Sequence, residues 1–339
     1  MNEDSSRVQG FKGSRGKTET NPSAATLRSA ISSNACFPGW PHRLAMMLAC
    51  ATFPLLFIGG LVTSLGAGLA VPDWPTTFGH NMFLYPWAKM VGGVFYEHSH
   101  RLVAATVGLL TIALALVFWL HEQRRWLRWL GVAALGLVIV QGVLGGLRVV
   151  LLQHTLAIIH ACFAQAFFAL TASLALFTSA EWHGLANAAI ADGGKLRRLA
   201  TITTVLIYLQ IVFGALLRHT GERLDAHLLI AALVAIHVVL VTLRINREHG
   251  DRAQLVRPAY FLAALLLLQL AIGALSYFGK FTTMLRWPME AIVLLTTTHL
   301  IVGALMLATS LLITLKAHRL SASVQAGTQA KVLTEQYSA

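Results

Sequence analysis

Charge is scarce in this chain. Only 12% of its 339 residues are Asp, Glu, Lys or Arg, where a soluble globular domain carries about 25%. With a mean hydropathy of +0.66, that deficit excludes a single soluble core. The apolar residues fall in runs of roughly twenty, which span a bilayer at about 1.5 Å per residue. Acidic residues are scarcer than basic ones: 14 Asp and Glu face 26 Lys and Arg, a net charge of +12. In a soluble chain that excess would point to nucleic acid. Here no aromatic-basic constellation accompanies it, no nucleic-acid partner is expected, and basic loops held against anionic lipid account for it. Cysteine is nearly absent. Cys36, Cys50 and Cys162 are scattered and no Cys-x-x-Cys occurs, so neither a zinc nor a disulfide framework is available.

What is present is a series of eight apolar spans, near 44–66, 98–120, 129–148, 155–178, 199–217, 225–243, 258–278 and 289–315. Residues 1–43 form a polar, basic tail with the composition of a disordered segment. No small-residue cleavage site follows the first apolar run, so the tail is not read as a secretory signal. Assigned to alternate sides, the loops and tails place 19 basic residues on one face of the membrane and 7 on the other. The positive-inside rule then puts both termini in the cytoplasm and the protein in the cytoplasmic (inner) membrane.

The spans repeat. Gln141-Gly-Val-Leu-Gly145-Gly146-Leu147, Gln210-Ile-Val-Phe-Gly214-Ala215-Leu216 and Gln269-Leu-Ala-Ile-Gly273-Ala274-Leu275 share one pattern on spans three, five and seven. Span one has Gly59-Gly60-Leu61, with Leu55 in the Gln position. Small pairs let helices approach closely in a bilayer, and they also clear room for a flat ligand. The repeat implies an all-α polytopic membrane protein of two pseudosymmetric four-helix bundles. These are an N-terminal half at 44–180 and a C-terminal half at 199–316, joined by a cytoplasmic linker at 181–198 and followed by a cytoplasmic tail at 317–339.

Histidines mark the even spans. With the N-terminus inside, His100, His160 and His227 begin spans two, four and six at the outer side, and His299 lies about ten residues into span eight. One buried histidine is ordinarily a hydrogen-bonded packing residue. Four at related depth, two in each half, have the pattern of paired axial ligands to iron in a planar macrocycle. Zinc fits less well, for want of thiolates or a His-Glu-x-x-His spacing. His237 competes with His227 from almost three turns deeper. Glu97 precedes His100 by three residues, so the two share a helix face. A carboxylate there could take a proton or stabilise positive charge on a substrate carbon, or it could simply pair with Arg101. Arg101, Arg148 and Arg218 close outer helix ends, where they serve as interfacial anchors or as propionate contacts. The long outer loop, 67–96, carries Val71-Pro72-Asp73-Trp74-Pro75 and reads as a folded cap over the first half.

Taken together, Gly60 to Ser64, Pro72-Asp73-Trp74-Pro75, Glu97-His98-Ser99-His100-Arg101, Gln141 to Arg148 and His160 resemble heme A synthase over residues 44–316. The resemblance implies oxidation of the C8 methyl of heme O to a formyl group with water-derived oxygen, for cytochrome oxidase assembly. It implies a substrate haem between His100 and His160, assisted by Glu97. It also implies a haem b cofactor, hence iron, between His227 and His299. Heme O synthase, oxidase assembly factors and a second copy of the chain are the partners it suggests. Two departures matter. The cysteine pair that many bacterial members carry in the first outer loop is missing, and the second half has Arg223-Leu-Asp-Ala-His227 in place of the glutamate motif. A dihaem quinol or ferric reductase would also explain the histidines, but not Glu97 or the Pro72–Pro75 loop. A transporter would need broken mid-membrane helices, which the glycines near helix ends do not provide.

Overall fold

Apolar runs with no internal charge leave the backbone only one way to satisfy its polar groups in a bilayer, the α-helix. A computed structural model describes residues 39–185, 193–282 and 287–337, with side chains to Leu320. Its helices are α1 (Trp40–Ser64), α2 (Gly93–His121), α3 (Arg125–Leu151), α4 (His154–Phe177), α5 (Gly193–Thr220), α6 (Leu224–Glu248), α7 (Ala253–Phe281) and α8 (Met289–Tyr337). All eight are long and apolar enough to cross a membrane. Among the described residues there is no strand, only an isolated bridge between Thr77 and His80. The fold is all-α, and every expected span is a helix. Most of the helices extend beyond the apolar runs, although α1 ends at Ser64 and α4 at Phe177, short of the expected 66 and 178; α8 continues well past its membrane-length portion. The disorder expected of the basic tail falls largely on residues 1–38, outside the described residues, as does part of the 181–198 linker.

Packing follows chain order. α1–α2, α2–α3 and α3–α4 are neighbours and α1–α4 closes a ring; α5–α6, α6–α7, α7–α8 and α5–α8 close a second. The rings meet where α8 touches α1 and α4, and where α4 touches α5. Polar pairs line the α5–α8 contact, with Thr204 Oγ1 2.8 Å from Ser310 Oγ and 2.9 Å from Thr314 Oγ1.

The core is uneven along the bundle. The largest fully buried side chains, among them Leu48, Phe118, Leu127, Leu174, Leu196, Ile245, Leu255 and Ile313, gather at the end where α1 begins. At that end Arg124 binds Glu122 at 2.8 Å and donates to the Phe177 carbonyl, and Lys316 binds Glu181 at 2.6 Å. The opposite end holds the four span histidines.

That opposite end is covered by the 65–92 loop, which is built on three fastenings. Arg101 Nη1 donates to the carbonyls of Asp73 (2.7 Å) and Thr76 (3.0 Å), and its Nη2 donates to the Val71 carbonyl (3.1 Å). Glu97 Oε2 accepts the Val71 N–H at 2.9 Å. His98, 1% exposed, meets Thr77 Oγ1 at 3.1 Å and packs on Tyr85. Within the loop, the Asp73 carboxylate accepts from Thr76 Oγ1 and from the N–H groups of Phe78 and Gly79. Burial alone would raise this carboxyl, but those donors hold it at about 2, below its ordinary 3.8. A depressed carboxyl stabilises the loop fully above its unfolded pKa, and that contribution is lost as pH falls from about 4 towards 2. Asp73→Asn is therefore expected to loosen the loop by on the order of 1 kcal/mol at neutral pH, after discounting for solvent screening. Limited proteolysis between residues 72 and 90 would show it, and the variant's loop should no longer respond to that acid range.

Candidate functional site

The sequence repeat has a geometric meaning. Each odd-numbered helix offers its glycine to the histidine of the helix that follows. A Cβ built on Gly59 would lie 2.9 Å from His100 Cε1; on Gly145, 3.3 Å from His160 Cε1; on Gly214, 3.2 Å from His227 Cε1; on Gly273, 3.0 Å from His299 Cε1. Hydrogen at these positions is what lets each ring lie flat on its neighbour's backbone. The ring also faces the carbonyl four residues before the glycine, of Leu55, Gln141, Gln210 or Gln269. For Nδ1 of His100, His160 and His299 that approach falls outside hydrogen-bond geometry, so these atoms are buried without a partner.

The repeated glutamines join the same contacts. Gln141 Nε2 donates to the His160 carbonyl at 3.1 Å. Gln210 Nε2 lies 3.2 Å from both ring nitrogens of His227, and Gln269 Nε2 lies 3.3 Å from His299 Nε2. The Oε1 atoms of all three are buried and unpartnered. Unsatisfied polar atoms are uncommon in a folded core. Here they concentrate around the four histidines, as they would in a cradle shaped for a polar, planar ligand.

The four rings fall into two pairs. His227 and His299 have ring centroids 6.3 Å apart, at 62°. His100 on α2 and His160 on α4 come from diagonally placed helices of the first ring and lie within electrostatic range of each other. His237 Nδ1 meets the Leu233 carbonyl of its own helix at 2.8 Å, and among the described residues no glycine contact or ring pairing ties it to the other four. Among the described residues no cluster of three or more His, Cys, Asp or Glu could hold a metal ion unaided, so a tetrahedral zinc-type site is not built here.

Glu97 is 4% exposed and both its oxygens are engaged, Oε1 by Arg101 Nη2 at 2.8 Å and Oε2 by Val71 N–H. The three arginines differ. Arg101 spends its Nη donors on the loop and Glu97. Arg218 spends its own on the contact between the two rings. Arg148 packs over Gly68 and lies within electrostatic range of Glu97, and among the described residues no hydrogen bond reaches it. Trp74 of the loop packs directly on Gly146, next to the glycine under His160. Sequence reasoning missed this Trp74–Gly146 contact, the anchoring role of His98, and the glutamine contacts. The equal four-residue spacing of Gln and Gly was the one signal that could have found the last.

Fold and site together define a multi-pass integral membrane protein whose bundle carries two imidazole pairs at one end. Residues 42–226 match the COX15-CtaA family, described as cytochrome oxidase assembly protein, and the chain belongs to that family. Similar proteins include the heme A synthase of Shouchella clausii, 29% identical over 185 residues, covering 54% of this chain and 60% of that protein. The heme A synthase of Geobacillus kaustophilus is 25% identical over 271 residues, 70% of this chain and 83% of that protein. That of Alkalihalophilus pseudofirmus is 31% identical over 176 residues, 50% of this chain and 57% of that protein. The match to the first and third thus spans less than two thirds of their length.

Proposed function

We propose that this chain is an oxidoreductase of the inner membrane that converts heme O to heme A for cytochrome oxidase assembly. Each turnover would oxidise the C8 methyl group twice, with water as the oxygen source. Methyl plus water gives hydroxymethyl, two electrons and two protons; the second round gives a hydrated aldehyde, which loses water to the formyl product. In this reading both termini are cytoplasmic and the histidine end faces outwards, an orientation that the 19-to-7 distribution of basic residues supports.

The observation that carries this reading is the fourfold histidine-on-glycine contact, resolved into two pairs. The ring centroids of His227 and His299 stand 6.3 Å apart, and these two residues would hold a haem b between them. A haem b held there would accept electrons withdrawn from the substrate. His100 and His160 hold and orient the substrate haem, under a loop whose fastenings keep bulk water from the reacting edge. Glu97, fixed by Val71 and Arg101, holds a negative charge one turn from His100, where it stabilises positive charge developing on the C8 carbon. Arg148, which among the three arginines has no hydrogen bond from the described residues, would pair with a propionate.

Coexpression with a heme O synthase, followed by haem extraction, tests the proposal. Wild type should yield heme A and a low-spin Soret band. His160→Ala should abolish heme A, and His227→Ala and His299→Ala should remove the haem b signal, whereas His237→Ala should change neither. Purified wild type without Soret absorption would sink the proposal, and a haem b content with no heme A would favour the dihaem reductase instead.

A further inference from the structure

The contact between the two rings contains a cation that neither histidine pair explains. Arg218 ends α5 one turn after Gly214, the residue under His227. Its guanidinium crosses to the other ring instead of turning to solvent. Nη2 donates to the Gly60 carbonyl (2.8 Å) and Ser64 Oγ (2.6 Å) on α1, and Nη1 donates to the Thr296 carbonyl (3.2 Å) on α8. Ser64 Oγ in turn meets Thr297 Oγ1 at 2.9 Å and Thr296 Oγ1 at 3.2 Å. Every acceptor is neutral, and among the described residues no carboxylate lies within salt-bridge distance of Arg218. Carbonyl oxygens hold a guanidinium in place but leave its unit charge uncompensated.

The anchor points tie that charge to both sites. Gly60 adjoins Gly59, on which His100 rests. Thr296 precedes His299 by three residues, so it shares its helix face, and Arg218 acts electrostatically on His299. The first pair has a different balance. Its arginines, Arg101 and Arg148, face the Glu97 carboxylate, one by a direct ion pair and the other at longer range. The first site thus sets one carboxylate against two guanidiniums, whereas Arg218 has no carboxylate within salt-bridge distance among the described residues.

We propose that Arg218 is a positioning residue whose charge raises the reduction potential of the haem held by His227 and His299 above the value it would have without that cation. This rests on the assignment of the histidine pairs made above. Reduction of a ferric haem adds one electron, and a fixed cation in a poorly screened setting stabilises the reduced form over the oxidised one. The hydrogen bonds to α1 and α8 fix where that charge sits.

Redox titration of the purified, haem-loaded full chain tests this, the second-site signal being identified as the one lost in His299→Ala. Arg218→Gln should shift its reduction equilibrium about tenfold towards the oxidised form, about 59 mV for one electron. Ser64→Asp, which sets a carboxylate against the guanidinium, should shift it in the same direction. Arg218→Lys, which keeps the charge, and Ser64→Ala, which removes one hydrogen bond, should each move it less than threefold. The role of Arg218 is overturned if Arg218→Gln and Ser64→Asp leave the potential unchanged, or if Arg218→Lys and Ser64→Ala shift it as far as those two. Should Arg218→Gln not assemble, the contrast between a large shift in Ser64→Asp and a small one in Ser64→Ala still decides. A wild type without low-spin haem overturns the assignment of the histidine pairs, which is a separate failure.

Discussion

Glu97→Gln is expected to lower heme A formation by on the order of a hundredfold or more and to leave heme O accumulated on the protein. The difficulty with any substitution here is that Glu97 does two things. Its Oε2 receives the Val71 N–H and its Oε1 receives Arg101, so deleting it also frees the loop. The amide of Gln keeps an acceptor for Val71 and removes the charge, whereas Ala removes both. If the charge acts on the reacting carbon, Gln and Ala should be nearly equal in product yield, and Ala alone should make the loop more susceptible to proteolysis. If Glu97 is only a fastening, Gln should keep most of the activity. Asp73→Asn supplies the control, since it loosens the same loop without touching Glu97. It should cost only a few-fold in turnover. Haem extraction and separation of heme O, its hydroxylated form and heme A read all three variants.

The second ring has no counterpart to this carboxylate. Where the first has Glu97-His98-Ser99-His100, the second has Leu224-Asp225-Ala226-His227, and among the described residues no buried arginine–glutamate pair pins a loop above it. A site without a fixed anion beside the macrocycle suits a resident electron acceptor better than a carbon to be oxidised. The duplication therefore supplies the scaffold twice, and a single acid with its loop distinguishes the two uses.

How much of this could be read without coordinates depended on periodicity. Eight runs of about twenty apolar residues leave little choice of fold, and all eight are helices. The pairing of even helices with histidine and odd helices with glycine was visible as a repeat. Its physical content was not. Small residues at corresponding depth are compatible with bare helix contact as well as with a ring seated on the backbone, and only the Cε1 distances separate these. The choice between His227 and His237 was similarly beyond spacing, because both lie on broadly one face. What distinguishes His227 is its rest on Gly214 and its pairing with His299, contacts that His237 does not share among the described residues. Arginine roles were the least legible. Arg101, Arg148 and Arg218 occupy similar helix ends, yet one clamps a loop, one lacks a hydrogen bond and one bridges the two rings. Such differences arise from long-range partners 25 to 158 residues away, which no local pattern encodes.

Substituting the glycines should separate the two sites from each other. The distances from a built Cβ are 2.9 Å at Gly59 and 3.0 Å at Gly273, against 3.2 Å at Gly214 and 3.3 Å at Gly145. At Gly59 a methyl group cannot be added unless the imidazole withdraws, and at Gly273 the ring has the least room of the remaining three; a ring that withdraws no longer presents its nitrogen towards its partner. Displacing a metal ligand's support costs about 10- to 100-fold in affinity. Gly273→Ala is accordingly expected to lose haem b by that factor while heme O binding in the first ring persists. Gly59→Ala should do the reverse. Gly145→Ala and Gly214→Ala, where the ring need yield only a few tenths of an ångström, should be milder, and Val at any of the four should abolish binding at its own site. Gly108, Gly136 and Gly142 have no atom within 4 Å of a built Cβ, so alanine there should leave haem content and spectrum unchanged. Haem-to-protein ratios with the low-spin spectrum measure every member of the series. A flat response across it, with Gly59→Ala and Gly273→Ala behaving like Gly142→Ala, would mean that the glycines serve helix packing alone and that the rings are not held for ligation.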